Sequence, residues 1–266
     1  MAREIRIDTP QGRLFACSWG ERGMLPPIVL FHDSLGCVAL WRDFPDRLSQ
    51  ASGRQVIAYD RLGFGRSDPH PGLLDRHFVR EEAGQVFPAL CGQLGIEHFI
   101  AFGHSVGGAM AVSCAARFPA QCQGVVTESA QAFVEERTLA GIRHARQTFA
   151  DEAQFDRLRK YHGDKAQWVL DAWVDTWLAP DFLHWNLDEE LSRVHCPLLA
   201  IHGEHDEYGS LRHPERIRTL SSGPAVAEIV PACGHVPHRE QENVVIDAVG
   251  RFLGPLAGQD GKVAAI

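Results

Sequence analysis

The sequence predicts a doubly wound α/β fold: a mostly parallel eight-stranded sheet flanked by helices, with a helical cap inserted after strand six. Two observations predict the sheet. Short apolar runs alternate with longer stretches of helical periodicity, and most of the runs are apolar on both faces, as strands covered by helices on each side must be. A third observation predicts the cap. The alternation fails once, for more than 60 residues between Glu128 and Pro197, where a plain crossover unit needs only about 30.

In chain order, Arg3 to Ile7 and Gly12 to Trp19 flank the turn residues Pro10-Gln11-Gly12 and read as an opening hairpin. Continuous apolar strands follow at Pro27–Phe31, Gln55–Tyr59, His98–Phe102, Gly124–Thr127, Pro197–Ile201 and Ala225–Val230. Most stop at a polar or glycine-bearing cluster. Helical periodicity fills the gaps at Leu40–Ala51, His77–Leu94, Gly107–Phe118, Pro214–Leu220 and Glu240–Leu253. The domain reading is a core of residues 1–130 and 194–266 with a cap over 131–193. The tail from Gly254 reads as a loose end.

Composition bounds the function. The chain has 266 residues, 45% of them hydrophobic and 23% charged, enough apolar material for a sizeable core. Its net charge of −8 lacks the positive footprint of non-specific nucleic-acid binding. The seven cysteines form no C-x-x-C pair and read as small buried hydrophobes rather than a disulfide or zinc framework. The start, Met-Ala-Arg-Glu-Ile-Arg, has no apolar stretch behind its charges, and no apolar run is long enough to span a bilayer. The expectation is a cytoplasmic protein with no membrane partner.

The strongest motif is Gly103-His104-Ser105-Val106-Gly107, which follows a predicted strand and opens a predicted helix. That is the setting of a nucleophile elbow, G-x-S-x-G. A turn this tight leaves no room for side chains two before and two after the serine, and it leaves the serine strained and exposed beside a helix N-terminus. A serine at its ordinary pKa needs a base. Of fourteen histidines, His235 stands just after the last strand behind Cys233-Gly234 and is the better placed, with His238 as its rival. The orienting acid is expected at Asp206, after the strand ending in Ile201, with Glu204 and Glu207 as weaker candidates and Glu128, after strand six, as the alternative. The chain order Ser105, Asp206, His235 is that of an α/β-hydrolase triad. The oxyanion donors are expected at the amides of Val106 and Ser34.

The chain resembles the α/β-hydrolase superfamily over about residues 3–253. The likeness is carried by His32-Asp33-Ser34-Leu35-Gly36, Asp60-Arg61-Leu62-Gly63-Phe64-Gly65-Arg66-Ser67, the Ser105 pentapeptide, Gly203-Glu204-His205-Asp206 and Gly234-His235. The resemblance implies the eight-stranded sheet, the cap and a Ser-His-acid triad. It departs at Asp33, where the superfamily usually has glycine, so a carboxylate stands at the expected oxyanion loop. Related dehalogenases and epoxide hydrolases use an aspartate at the elbow, and prolyl iminopeptidases usually have tryptophan after the serine; here the residues are Ser105 and Val106.

Four of the six tryptophans lie between Trp168 and Trp185. Trp168, Trp173 and Trp177 are candidate substrate-binding residues for an apolar acyl or aryl group, against the plainer reading that they pack the cap onto the core. Arg42, Arg61 and Arg143 are the cations available for an anionic substrate. His202, Glu204, His205 and Asp206, with His235 and His238, have metal-ligand chemistry but coincide with the expected triad, so neither metal nor cofactor is expected. Asp60–Ser67 lacks both phosphate-loop fingerprints and reads as a tight structural loop. The function expected is hydrolysis of a small carboxylic ester through an acyl-enzyme. C–C bond hydrolysis of aromatic meta-cleavage products, enol-lactone or thioester hydrolysis, and ligand reception without turnover are the alternatives. The partner is a small molecule, and a homodimer is compatible.

Overall fold

The computed structural model describes residues 2–257 and has an eight-stranded sheet of order β1-β2-β4-β3-β5-β6-β7-β8. β1 (Arg3–Thr9) and β2 (Gly12–Trp19) form the predicted hairpin, and β2 runs antiparallel to β4 (Val56–Tyr59). β3 (Ile28–Phe31), β5 (Phe99–His104), β6 (Cys122–Glu128), β7 (Leu198–Gly203) and β8 (Ala225–Val230) extend the sheet with parallel neighbours throughout.

The doubly apolar strands feed two cores. Val29 and Phe31 of β3, Phe99 and Ala101 of β5, and Leu198 and Ala200 of β7 enter one core. Ile28 and Leu30, Ile100 and Phe102, and Leu199 and Ile201 enter the other. This is the period-two alternation of a strand with a hydrophobic layer on each side. Helices α1 (Phe44–Ser52) and α11 (Glu242–Ala257) close the second core, while α3 (Phe87–Leu94) and α4 (Val106–Arg117) close the first.

The helix expected over His77–Leu94 is broken. α2 (Phe78–Glu81) passes through a π-helical turn, Glu82–Val86, into α3. Pro88 at the start of α3 has no N–H for the ladder, and the buried Glu82 side chain accepts a 2.6 Å hydrogen bond from Tyr59 Oη on β4. At the other end, the sequence expected a loose tail from Gly254, but α11 continues to Ala257 because Leu253 and Leu256 are buried in the second core. The rest of that tail lies outside the described residues.

Between β6 and β7 run α5 (Glu136–Thr148), α6 (Glu152–His162), α7 (Ala166–Leu178) and α8 (Asp188–Leu191). α7 packs on α5 and α6, whereas α8 packs on α4 and on α9 (Arg212–Leu220). The entry to α5 is anchored by Glu135, whose carboxylate accepts from the Ser210 amide at 2.7 Å, the Ser210 hydroxyl at 2.9 Å and lies 3.0 Å from His213 Nε2. The short α10 (Pro237–Glu240) leads from β8 into α11.

The tightest constraint is where α4 leaves β5. A Cβ at Gly107 would stand 2.1 Å from the Phe31 carbonyl oxygen, so Gly107→Ala should destabilise the protein by at least about 2 kcal/mol, as overpacking against backbone does. Gly250, exposed on α11 with open space around it, is the control: Gly250→Ala should be neutral or stabilising by up to about 1 kcal/mol. Chemical denaturation of both variants measures the contrast, and equal effects would refute the crowding at Gly107.

Candidate active site

The parallel strands end on one edge of the sheet, and the loops after β3, β5, β6, β7 and β8 meet there, the usual place for a ligand in an open α/β sheet. Ser105 sits on the turn from β5 to α4 at φ 55° and ψ −126°, a strained conformation for a residue with a side chain. Its amide donates to the Glu128 carbonyl at 2.8 Å. At Gly103 a Cβ would approach the Gly107 carbonyl oxygen to 2.0 Å. The two flanking glycines are therefore required by contact, as the pentapeptide spacing predicts.

His235, on the loop after β8, presents Nδ1 at 2.9 Å from both carboxylate oxygens of Asp206, on the loop after β7. Asp206 is buried, and its Oδ1 also accepts from the amides of Tyr208 at 2.7 Å and Gly209 at 3.0 Å. Burial pushes its carboxyl up, but the hydrogen bond and charge of His235 prevail and hold it at about 2. Ser105 and His235 line one cavity of about 110 Å³. The Ser105 hydroxyl donates to Gln131 Oε1 at 3.2 Å, and no hydrogen bond joins it to His235 among the described residues. Apo sites often hold such contacts loosely.

The rival assignments fall elsewhere. Glu128 is fully buried and bound to His238: its Oε1 accepts from the His238 amide at 2.6 Å and its Oε2 lies 2.6 Å from His238 Nδ1. Glu204 and Glu207 are exposed. The His202–His205 run does not gather as a ligand set, since His205 points to solvent. Among the described residues, the one group whose ligand atoms lie within 4.8 Å of one another is His104, Glu128 and His238. There the carboxylate is already occupied by His238.

Asp33 borders the cavity with Ser105 and is paired with the elbow residue His104. Its Oδ1 accepts the Leu35 amide at 2.8 Å, and its Oδ2 forms an ion pair with His104 Nδ1 at 3.4 Å. Burial opposes ionisation of Asp33, but His104 outweighs it and its carboxyl falls well below the usual range. Burial likewise opposes the charge on His104, yet Asp33 and Glu128 raise it to about 9. With the Leu35 amide occupied, the Ser34 amide carries no hydrogen bond among the described residues. Val106 is the first residue of α4, so its amide has no acceptor within the helix.

Of the three tryptophans, Trp173 and Trp177 line the cavity, together with Thr138, Ile142 and Tyr208. Trp168 does not: it stacks on His70 at 5.1 Å, meets Phe64 edge-on and donates Nε1–H to the Gly72 carbonyl. The expectation that all three share one pocket therefore fails for Trp168, because its face of α7 packs on the loop after β4. Arg42, Arg61 and Arg143 are absent from the lining as well. Arg61 is buried against Phe64 and donates to the Asp33 carbonyl, and Arg143 pairs with Glu136. Sequence reasoning missed Gln131, Tyr208 and the pairing of His104 with Asp33; the first two follow strand ends by a few residues, the signal used for Asp206.

The His104 charge makes a sign-definite prediction. A group raised from 6.5 to about 9 contributes stability that is complete below pH 6.5 and lost as pH rises through 9. His104→Gln should therefore be less stable than the parent at pH 6, with the gap closing by pH 10. Thermal melts across that window measure it, and a gap constant with pH would contradict the ion pair.

Comparisons with known proteins identify the family and the fold. A sequence family described as "alpha/beta hydrolase fold" matches residues 26–170. A proline iminopeptidase of Lactobacillus helveticus is 35% identical over 96 residues, 35% of this chain and 31% of that protein, so the match spans under a third of that relative's length. A 2-hydroxy-6-oxo-2,4-heptadienoate hydrolase of Pseudomonas putida is 25% identical over 249 residues, covering 85% of this chain and 88% of the relative. Among solved structures, the carboxylesterase CesB of Bacillus subtilis superposes with a TM-score of 0.67 at 25% identity over 95% of this chain and 92% of its own. The enol-lactonase of Burkholderia xenovorans superposes with a TM-score of 0.73 at 21% identity, covering 94% and 100%.

Proposed function

The chain belongs to the α/β-hydrolase fold family of enzymes, and from that premise we propose that it is a serine hydrolase cleaving a small, uncharged carboxylic ester. One observation carries the reading: Ser105 at a strained elbow and His235, held through Nδ1 by Asp206, face the same cavity. In the proposed reaction the Ser105 side chain turns from Gln131 to His235, whose Nε2 takes its proton as the oxygen attacks the ester carbonyl. Asp206 fixes the tautomer and stabilises the imidazolium. The Val106 and Ser34 amides receive the oxyanion. His235 then protonates the departing alcohol, and water, activated by the same imidazole, releases the acid.

The lining supports the substrate class. Ile142, Trp173 and Trp177 are apolar, Gln131, Thr138 and Tyr208 supply hydrogen-bonding groups, and no lysine or arginine borders the cavity among the described residues. A carboxylate substrate would enter without a counter-ion and would face Asp33. At about 110 Å³ the space is below the roughly 150 Å³ that holds benzene, which favours a short acyl group. Helices α5 and α7 bring Thr138, Ile142, Trp173 and Trp177 over Ser105 and act as the lid, within the cap bounds of 131–193. A C–C hydrolase is the second reading, favoured by the length of the match to the P. putida enzyme. The heptadienoate in that enzyme's name is an anion, and no lysine or arginine among the described residues borders the cavity with Ser105 to pair with it.

Ser105→Ala should lower kcat for p-nitrophenyl acetate by several orders of magnitude with the fold unchanged, and Asp206→Asn should cost roughly 10⁴-fold. Glu128→Gln should act on stability more than on kcat/KM. Steady-state kinetics paired with melting curves separate the cases, and a crippled Glu128→Gln beside an active Asp206→Asn would move the acid to the end of β6. A dienoate meta-cleavage product turned over faster than the ester would replace the ester reading with the second one.

A further inference from the structure

A second cavity, of about 190 Å³, borders the same catalytic loop. Asp33, Leu35 and His235 belong to the walls of both cavities. Beyond those shared residues, the second has a wall of His32, His104 and His238 and an apolar side of Leu40, Trp41 and Val236, with the exposed Arg239 on its border. Leu35, Leu40 and Val236 are half-buried, and Trp41 is buried with its ring 4.6 Å from that of His238. Half-buried apolar side chains around an open volume are surface that a ligand can take out of water.

We propose that this second cavity is the leaving-group subsite, which takes the alcohol of the ester, and that it favours a compact aromatic or branched alcohol. The inference rests on the serine-esterase reading and adds the half of the substrate which that reading leaves open. In the collapse of the tetrahedral intermediate the bond from the carbonyl carbon to the alcohol oxygen breaks. The electron pair stays on that oxygen, which takes the proton from His235 Nε2, while the acyl group remains on Ser105. The imidazole must therefore reach an oxygen that lies between the acyl group and the alcohol's carbon skeleton. His235 is the reacting residue that borders both cavities. Volume divides the roles: about 110 Å³ on the Ser105 side suits a short acyl group, and about 190 Å³ exceeds the roughly 150 Å³ that accommodates a benzene ring. The two shared loop residues, Asp33 and Leu35, flank Ser34, the expected oxyanion donor, so an ester carbonyl held there has one substituent on each side.

The test varies the alcohol at constant acyl group. Wild-type enzyme should hydrolyse benzyl acetate with a kcat/KM at least 10-fold above methyl acetate. In acyl transfer from p-nitrophenyl acetate at equal concentrations of benzyl alcohol and methanol, it should form benzyl acetate in at least 10-fold excess. Leu40→Trp and, as a second variant, Val236→Phe fill the cavity and should each lower the benzyl-to-methyl ratio at least 10-fold. The order of acetate over hexanoate at a fixed alcohol should not change. Equal use of the two alcohols by the wild type, or a ratio untouched in folded variants, overturns the subsite while Ser105 still labels with a fluorophosphonate. Loss of that labelling in the wild type instead overturns the serine reading, and the subsite falls with it.

Discussion

The site depends on how closely the first turn of α4 approaches the end of β3. A side chain at Gly107 would meet the Phe31 carbonyl, and one at Gly103 would meet Gly107 itself. Three backbone segments therefore touch where most proteins interpose side chains. The contact fixes the strained Ser105 against the Glu128 carbonyl through its amide. It also sets the first amide of α4 beside the loop that carries Ser34. The proposed nucleophile and the two expected oxyanion donors are thus positioned by backbone packing, which does not reorganise as charge develops in a reaction.

Electrostatics then sort the carboxylates that share this edge of the sheet. Asp206 and Glu128 are both buried at strand ends, and each is paired with a histidine. They differ in where their partners lie. His235 borders the cavity with Ser105, whereas His238 packs on Trp41, Phe44 and His104 and borders the second cavity, which Ser105 does not line. Asp33, which stands where the resemblance to the superfamily leads one to expect glycine, is paired with His104 and accepts the Leu35 amide. His104 in turn lies 2.8 Å through Nε2 from the carbonyl of His235. The residue inside the elbow pentapeptide thereby links the departure at Asp33 to the loop that carries His235, and the opposite charges of His104 and Asp33 offset the cost of burying each other.

Strand patterning made the sheet legible, because a strand buried on both faces cannot hide its apolar run. The elbow was legible because its spacing follows from steric necessity. Partner choice among many candidates was harder. Position after a strand distinguishes His235 from His238 only weakly, and it is the 2.9 Å contact with Asp206 that separates them in space. Trp168 and Trp173 are five apart on α7, too far round the helix to face one pocket, and tryptophan richness alone did not reveal which face met Ser105. Gln131 and Tyr208 carry no motif; they matter through loops whose course depends on the packed insertion. The π-helical break carries Glu82, whose partner Tyr59 lies on a distant strand and is not contained in the periodicity.

The central claim is that Ser105 becomes acylated. Rapid mixing with p-nitrophenyl acetate, followed by acid quench and peptide mass spectrometry, tests it most directly. The account predicts a burst of p-nitrophenol with one acetyl group on the peptide that carries Ser105, and neither in Ser105→Ala. An acetyl group on another residue, or a burst that survives Ser105→Ala, would contradict it.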